Sequence, residues 1–517
     1  MEQTFPSQSA GSAPAQNPSV EPADQAPEQS DHSLAADLKA PTLSRAYQCQ
    51  CGRPIFLGNS ECLACHTPLG YVVESLGVVP LAPATFQGAE PDTYTVFGDT
   101  NGKAYRRCAN LMTASSCNWM VPAPRQGDDA SFNTTGLAPG YCLSCSVTRT
   151  IPDLSIEGNG VLWRKLEQAK RRLISQLLAL GLPVVSRHAD PVHGLAFDFL
   201  SNVPGGPHVL TGHEDGVITL NAEEAEDAVR ERIRAEMREP YRTLVGHFRH
   251  VIGHYYWDLL VYPTHWLEDY RALFGDERAD YATALKTHYE QGPVADWRNR
   301  FVTSYASSHP WEDWAETWAH YLHMADTADT AMSFGVDATR AELASDLFEP
   351  ADLWQPDHPD AMKFLDFLNG WVRLTNVLNE LSRSMGQPDY YPFILPRATV
   401  GKLQFIHQVI TDQRHRVGAP APAPDAMSDP TPEPPVVGTS SSVPEPVQAQ
   451  GQTQEQTQGQ TQSQSQTQPA LLQPRAATPS EAVPPVPAAP EKMAQPIQQA
   501  QARAQGYAYD HGFFSRR

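Results

Sequence analysis

His250 and His254 stand four residues apart in the stretch from 241 to 262, YRTLVGHFRHVIGHYYWDLLVY. On a helix that spacing puts both imidazoles on one face, a single turn apart, where they can reach the same metal ion. Hydrolytic sites built on such a pair use the pattern H-E-x-x-H, in which the Glu after the first His takes a proton from metal-activated water. Here that position is Val251. The stretch keeps the metal grip and lacks the usual base.

A second stretch, ASSHPWEDWAETWAHYLHM (306 to 324), predicts another helix. Trp311, Trp314, Ala315, Trp318 and Leu322 form its apolar face, while Glu312, Glu316, His320 and His323 share another. Either acid can complete a site begun by two His. An i, i+4 His pair alone is more often a surface or core feature, and the acid-bearing helix is what favours metal. His247 precedes His254 by seven residues, about 10 Å along a helix, so the two do not share one ion. It is assigned to packing or to support behind the ligands. Asp258, one turn past His254, is placed to orient its ring or to compete as third ligand. Tyr305, seven residues before Glu312, is either a packed ring or a donor to a developing oxyanion.

All eight Cys fall between 49 and 145. Cys49 and Cys51, then Cys62 and Cys65, form two close pairs, and four soft thiolates presented by two turns suit a tetrahedral zinc ion. Cys108, Cys117, Cys142 and Cys145 form a second, wider set closed by a CxxC pair. No Cys is left over for nucleophilic catalysis, and there is no GxSxG elbow.

The chain has 517 residues with 46 Pro and long Gln, Ser and Thr tracts. Residues 1–44 and 413–517 read as disordered, 45–155 as a zinc-ribbon region and 156–412 as the domain carrying the His pair. The net charge of −21 lies mostly in the body of the chain and opposes binding to phosphate backbones. No apolar run approaches the ~20 residues that span a bilayer, and the N-terminus lacks a signal-peptide pattern, so a soluble cytoplasmic protein is expected. Helical spacing from 161 ends at Gly181 and Pro183. GLAFDFL (194 to 200) alternates like a strand, and 208 to 222 reads as a hairpin turning at Asp215-Gly216. Asn221 and Glu224 suggest a capping box opening a helix over 222–238, and Pro240 suits the first turn of the helix with the His pair. Two amphipathic helices are expected between 361 and 411. An edge strand beside the metal can hold an extended peptide.

The paired-Cys start, TGHEDGVITLNAEEAE, EPYRTLVGHFRHVIGHYYWDLLV and SYASSHPWEDWAETWAHYLH together resemble a family of bacterial zinc-binding metallopeptidases with an N-terminal zinc ribbon. The likeness covers roughly 45–412. It implies an α+β fold: a mainly helical, zincin-like domain preceded by small β zinc ribbons. It also implies a gluzincin site, with His250, His254 and a Glu from a later helix as zinc ligands. Glu312 is the expected third ligand, because Glu316 one turn later repeats the ligand-plus-supporting-acid pattern of thermolysin-like sites. Zinc is the implied cofactor and a peptide or protein the implied partner. Val251 departs from the family pattern, and Glu316 is the one carboxylate the sequence offers as a substitute base. Two functions follow: a metallopeptidase of reduced activity, or a non-catalytic zinc protein that binds peptides in the inherited cleft.

Overall fold

A computed structural model describes residues 43–418, apart from 87–88, 100–102, 124–136, 203–208, 238 and 337–346. The expected disordered tails therefore lie almost wholly outside the described residues. Strands β1 (Tyr47–Gln48) and β2 (Pro54–Ile55) pair antiparallel and enclose Cys49 and Cys51 in their turn. After Cys62 and Cys65 the chain forms a five-stranded antiparallel meander: β3 (Leu69–Val72), β4 (Gly77–Pro83), β5 (Thr93–Val96), β6 (Tyr105–Arg107) and β7 (Met120–Pro122). Tyr71 N–H donates to the Asn118 carbonyl at 3.0 Å and its ring stacks on Trp119 at 4.1 Å, so the first strand meets the approach to the last. A short helix α1 (Leu143–Ser146) carries Cys145 and leads into β8 (Thr148–Thr150).

Helix α2 (Asn159–Ala179) ends as its sequence suggests, with Gly181 at φ +74°. It is the crossover between β8 and the parallel strand β9 (Ala196–Leu200). Strands β10 (Gly212–Glu214) and β11 (Val217–Asn221) form the expected hairpin. Its two turn residues, Asp215 and Gly216, both have positive φ (46° and 79°), the requirement of a type I′ turn. The sheet order is β10-β11-β9-β8, with β10 at the edge.

The helix expected over 222–238 is two pieces. Asn221 accepts from Glu223 N–H and starts a 3-10 turn over Ala222–Ala225, but Glu226 is extended, and α3 runs only over Asp227–Glu236. Glu224 is not the reciprocal half of a capping box, because its carboxylate turns inward to stronger partners. The helix with the His pair, α4 (Leu244–Leu260), also starts later than Pro240 suggests: Thr243 Oγ1 caps it by accepting from Gly246 N–H at 3.0 Å. Helices α5 (Trp266–Phe274), α6 (Tyr281–Gln291) and α7 (Trp297–Arg300) lead to α8 (Pro310–Ser333). The two closing helices are α9 (Ala361–Ser384) and α10 (Val400–Gly418), the latter running past the boundary expected at 412.

Helices α4 and α8 pack side by side at the centre. Gly253 makes this possible, since a Cβ there would lie 3.2 Å from both Ala315 Cα and Trp318 Cδ1. The buried carbonyl of Gly253 accepts from Trp314 Nε1 at 2.8 Å, pinning the two helices in register. One continuous set of buried side chains runs from Tyr47 through α2, α4 and α8 to Ile410, so the core crosses the sequence boundary expected near 155.

Candidate metal centre

On α4, His250 and His254 face the first turn of α8, where Glu312 sits. That turn is fixed by His309, whose Nδ1 accepts from Trp311 N–H at 3.1 Å while its Nε2 meets the Ala279 carbonyl at 3.0 Å. Glu312 Oε2 lies 3.2 Å from His250 Nε2 and 3.6 Å from His254 Nε2. Three ligands about 2.0–2.1 Å from a tetrahedral zinc stand roughly 3.4 Å apart, so this spacing fits the ion. Glu312 Oε2 is also buried without a hydrogen-bond donor. An acceptor left this way costs about 1–3 kcal/mol unless something positive fills the gap. Its other oxygen, Oε1, accepts from Tyr281 on α6 at 2.5 Å.

Glu316 is one turn further along and does a different job. Its Oε1 lies 2.7 Å from His250 Nδ1, and Thr303 Oγ1 donates to its Oε2 at 2.6 Å. His250 and Thr303 hold this carboxyl below the ordinary range against the opposing effect of burial. Ionised, it can only accept, so Nδ1 carries a proton and Nε2 is left as the nitrogen that faces Glu312 and would ligate an ion between them. Against burial, which pulls it down, the two carboxylates lift His250 to about 10. Burial pushes His254 the other way.

Residues outside the expected ligand set surround the cluster. The Trp311 ring packs 4.0 Å from His254, and the His213 ring on the edge strand β10 lies nearly parallel to it at 6.5 Å. Gly216 N–H donates to His213 Nε2 at 3.1 Å, and Nδ1 faces Asp258 at 3.8 Å. Burial and nearby His254 depress His213 to about 3, so it is neutral. Asp258 thus meets His213 and is not part of the His250, His254 and Glu312 group. The Tyr305 ring lies 5.9 Å from His250, and burial with the Glu312 charge keeps its phenol protonated. His247 pairs with Glu224 at 2.8 Å. Tyr281 and Thr303 had no sequence signal, since each reaches the site from a segment without recognisable motif.

The two Cys sets also converge. Sγ–Sγ distances of 3.6 Å (Cys49–Cys65), 3.8 Å (Cys51–Cys62) and 3.6 Å (Cys117–Cys142) are far beyond a disulfide and close to the edge of a zinc–thiolate tetrahedron, about 3.8 Å. Both sets could hold a metal ion. The first is half exposed and the second wholly buried.

Comparison with known proteins agrees with this picture. Residues 159–409 match a family described as "putative zinc-binding metallo-peptidase", and residues 46–156 match a zinc-ribbon domain. Proteins of Mycobacterium tuberculosis (strain ATCC 25618 / H37Rv) and Mycobacterium bovis, both termed uncharacterized, are 39% identical over 370 residues. The match covers 71% of this chain and 96% of each relative. No solved structure matches. With its α+β fold, two tetrathiolate groups and a His-His-Glu cluster, the chain belongs to this zinc-binding metallo-peptidase family, preceded by a zinc-ribbon domain.

Proposed function

We propose that His250, His254 and Glu312 hold a third zinc ion and that the protein hydrolyses peptide bonds slowly there. The observation that carries this reading is the pair of imidazole Nε2 atoms facing a buried, otherwise unpartnered Glu312 oxygen at zinc-ligand spacing. Zinc in such a site supplies Lewis acidity and lowers the pKa of a bound water toward about 7. The chain's own residues do the rest. Glu316 fixes the His250 tautomer, Tyr281 orients Glu312, and Tyr305 is a protonated donor near the reacting centre. Edge strand β10, with His213 beside His254, offers a backbone rail for an extended peptide. Glu316 is a poor substitute base, because it lies on the Nδ1 side of His250 and is engaged by Thr303.

One residue favours a second reading, peptide binding without cleavage. Val251 is buried at the position where the family pattern has its base, and a positioned base is worth about 10²- to 10⁴-fold in rate. Zinc-loaded protein incubated with a diverse peptide library, with products read by mass spectrometry, decides between them. Cleavage abolished by His254→Ala is the expected result. Peptide capture without any cleavage would favour the binding reading. We also infer a cytoplasmic location from the Cys usage; among the described residues no helix is long and apolar enough to cross a membrane.

A further inference from the structure

We propose that His247, held by the buried carboxylate of Glu224, is the proton-transfer residue that this chain uses in place of the Glu missing at 251. The inference rests on the hydrolytic reading above. His247 is one turn before His250 on the same side of α4, with ring centroids 6.5 Å apart. Its Nδ1 lies 2.8 Å from Glu224 Oε2. Glu224 is built for the purpose of holding a ring: its side chain is 7% exposed, Thr211 Oγ1 donates to Oε1 at 2.7 Å, and Arg242 donates to Oε2 at 3.0 Å. An ionised carboxylate on Nδ1 fixes the imidazole as the tautomer whose Nε2 carries a lone pair, the arrangement of an oriented general base. His247 Nε2 has no hydrogen-bond partner among the described residues, and the side chain keeps 17% exposure. The ring therefore stands partly exposed beside the His250 ring, with Nε2 free to take a proton.

The same pairing explains two departures from sequence expectation. Glu224 leaves its capping role because it is the counter-charge of His247 and Arg242, and the break at Glu226 lets it turn inward. In the proposed step His247 Nε2 takes a proton from the attacking water as the water oxygen bonds the scissile carbonyl carbon. It returns that proton to the amide nitrogen as the C–N bond breaks. One water and one peptide bond become a carboxylic acid and an amine, with no redox partner. Glu224 is a positioning residue, since it acts only through the ring.

The test is a double-variant cycle on full-length, zinc-loaded protein, with zinc content, melting temperature and peptide affinity by calorimetry measured beside turnover. His247→Gln should lower kcat by about 10²-fold, within the range for a general base, while zinc content and peptide Kd stay within about twofold. Glu224→Gln should lower kcat by about tenfold or more through loss of the fixed tautomer. In a Val251→Glu background, where the usual base is restored, His247→Gln should cost less than about tenfold. A structural role would cost the same in both backgrounds and would move the melting temperature. Equal losses in the two backgrounds, or a His247→Gln protein as fast as wild type, would overturn the assignment of His247 alone. Wild-type protein that cleaves nothing would instead remove the hydrolytic reading beneath it. If His247→Gln does not fold, Glu224→Gln against Val251→Glu gives the same cycle.

Discussion

At the scale of residues, one carboxylate and its neighbour one turn later have opposite tasks. Glu312 offers an unpartnered oxygen to two imidazoles, and Glu316 clamps the back of one of them. Such clamps typically change metal affinity by 10–100-fold. Glu316→Gln should therefore weaken zinc at the third site by about tenfold, measured by competition with a chelator of known affinity. Unchanged affinity would reduce Glu316 to a packing role. The i, i+4 His pair and the two acids of α8 were legible because helical spacing dictates which side chains share a face. Tyr281, Thr303 and the Glu224 partner of His247 were not, because contacts between separate elements 13 to 31 residues apart leave no common period to read.

Among the described elements, the most extensive contact is that of α4 with α8, and it depends on the Gly inside the HVIGH stretch. Gly253→Ala would place a methyl 3.2 Å from Ala315 Cα, which is backbone and cannot rotate away. The helices must then separate by a few tenths of an ångström. Overpacking of this kind costs about 1–3 kcal/mol, and here it also pulls Glu312 from the imidazoles. Denaturant unfolding should show the loss of stability, and zinc titration a weaker third site. A variant as stable as wild type, with unchanged zinc affinity, would show that the contact is slack. The β10–β11 hairpin and the length of α2 were readable from Asp215-Gly216 and Gly181, whose left-handed backbone the sequence announces. The starts of α3 and α4 were misplaced for a physical reason. Asn221 and Pro240 are good starting residues in isolation, but the inward pull on Glu224 and the Thr243 cap decide the ends. The parallel pairing of β8 with β9 was also hidden, since the crossover helix separates strands too short to show a pattern.

Across the described residues, one buried acid joins the ribbon end to three of the helices around the His-His-Glu cluster, in addition to their shared core. Asp326 on α8 accepts from Arg45 at the entry to β1 (2.8 Å), Arg172 on α2 (2.8 Å) and Arg249 on α4 (2.7 Å), the residue before His250. Against burial, which raises it, these three guanidiniums hold the Asp326 carboxyl far below its ordinary value. A depressed folded-state pKa stabilises the fold fully above the unfolded value, about 3.9, and that contribution is lost as pH falls below it. Asp326→Asn should thus cost about 3–5 kcal/mol at pH 7, as expected for breaking a buried ion pair. The difference from wild type should shrink as pH falls through 4 and below, which urea unfolding at several pH values would show. A difference independent of pH would mean that the carboxylate charge is not what holds these elements together. The Cys groups and the helical run from 161 mark the expected division near 155, and neither pattern shows the tie across it, an arginine 281 residues from its partner. The most direct test of the proposed third zinc is a count. Elemental analysis of the full-length protein should give three zinc ions per chain, falling to two in both His250→Ala and Glu312→Ala while the two tetrathiolate groups stay loaded. Two zinc ions in the wild type, unchanged in either variant, would contradict the proposed centre.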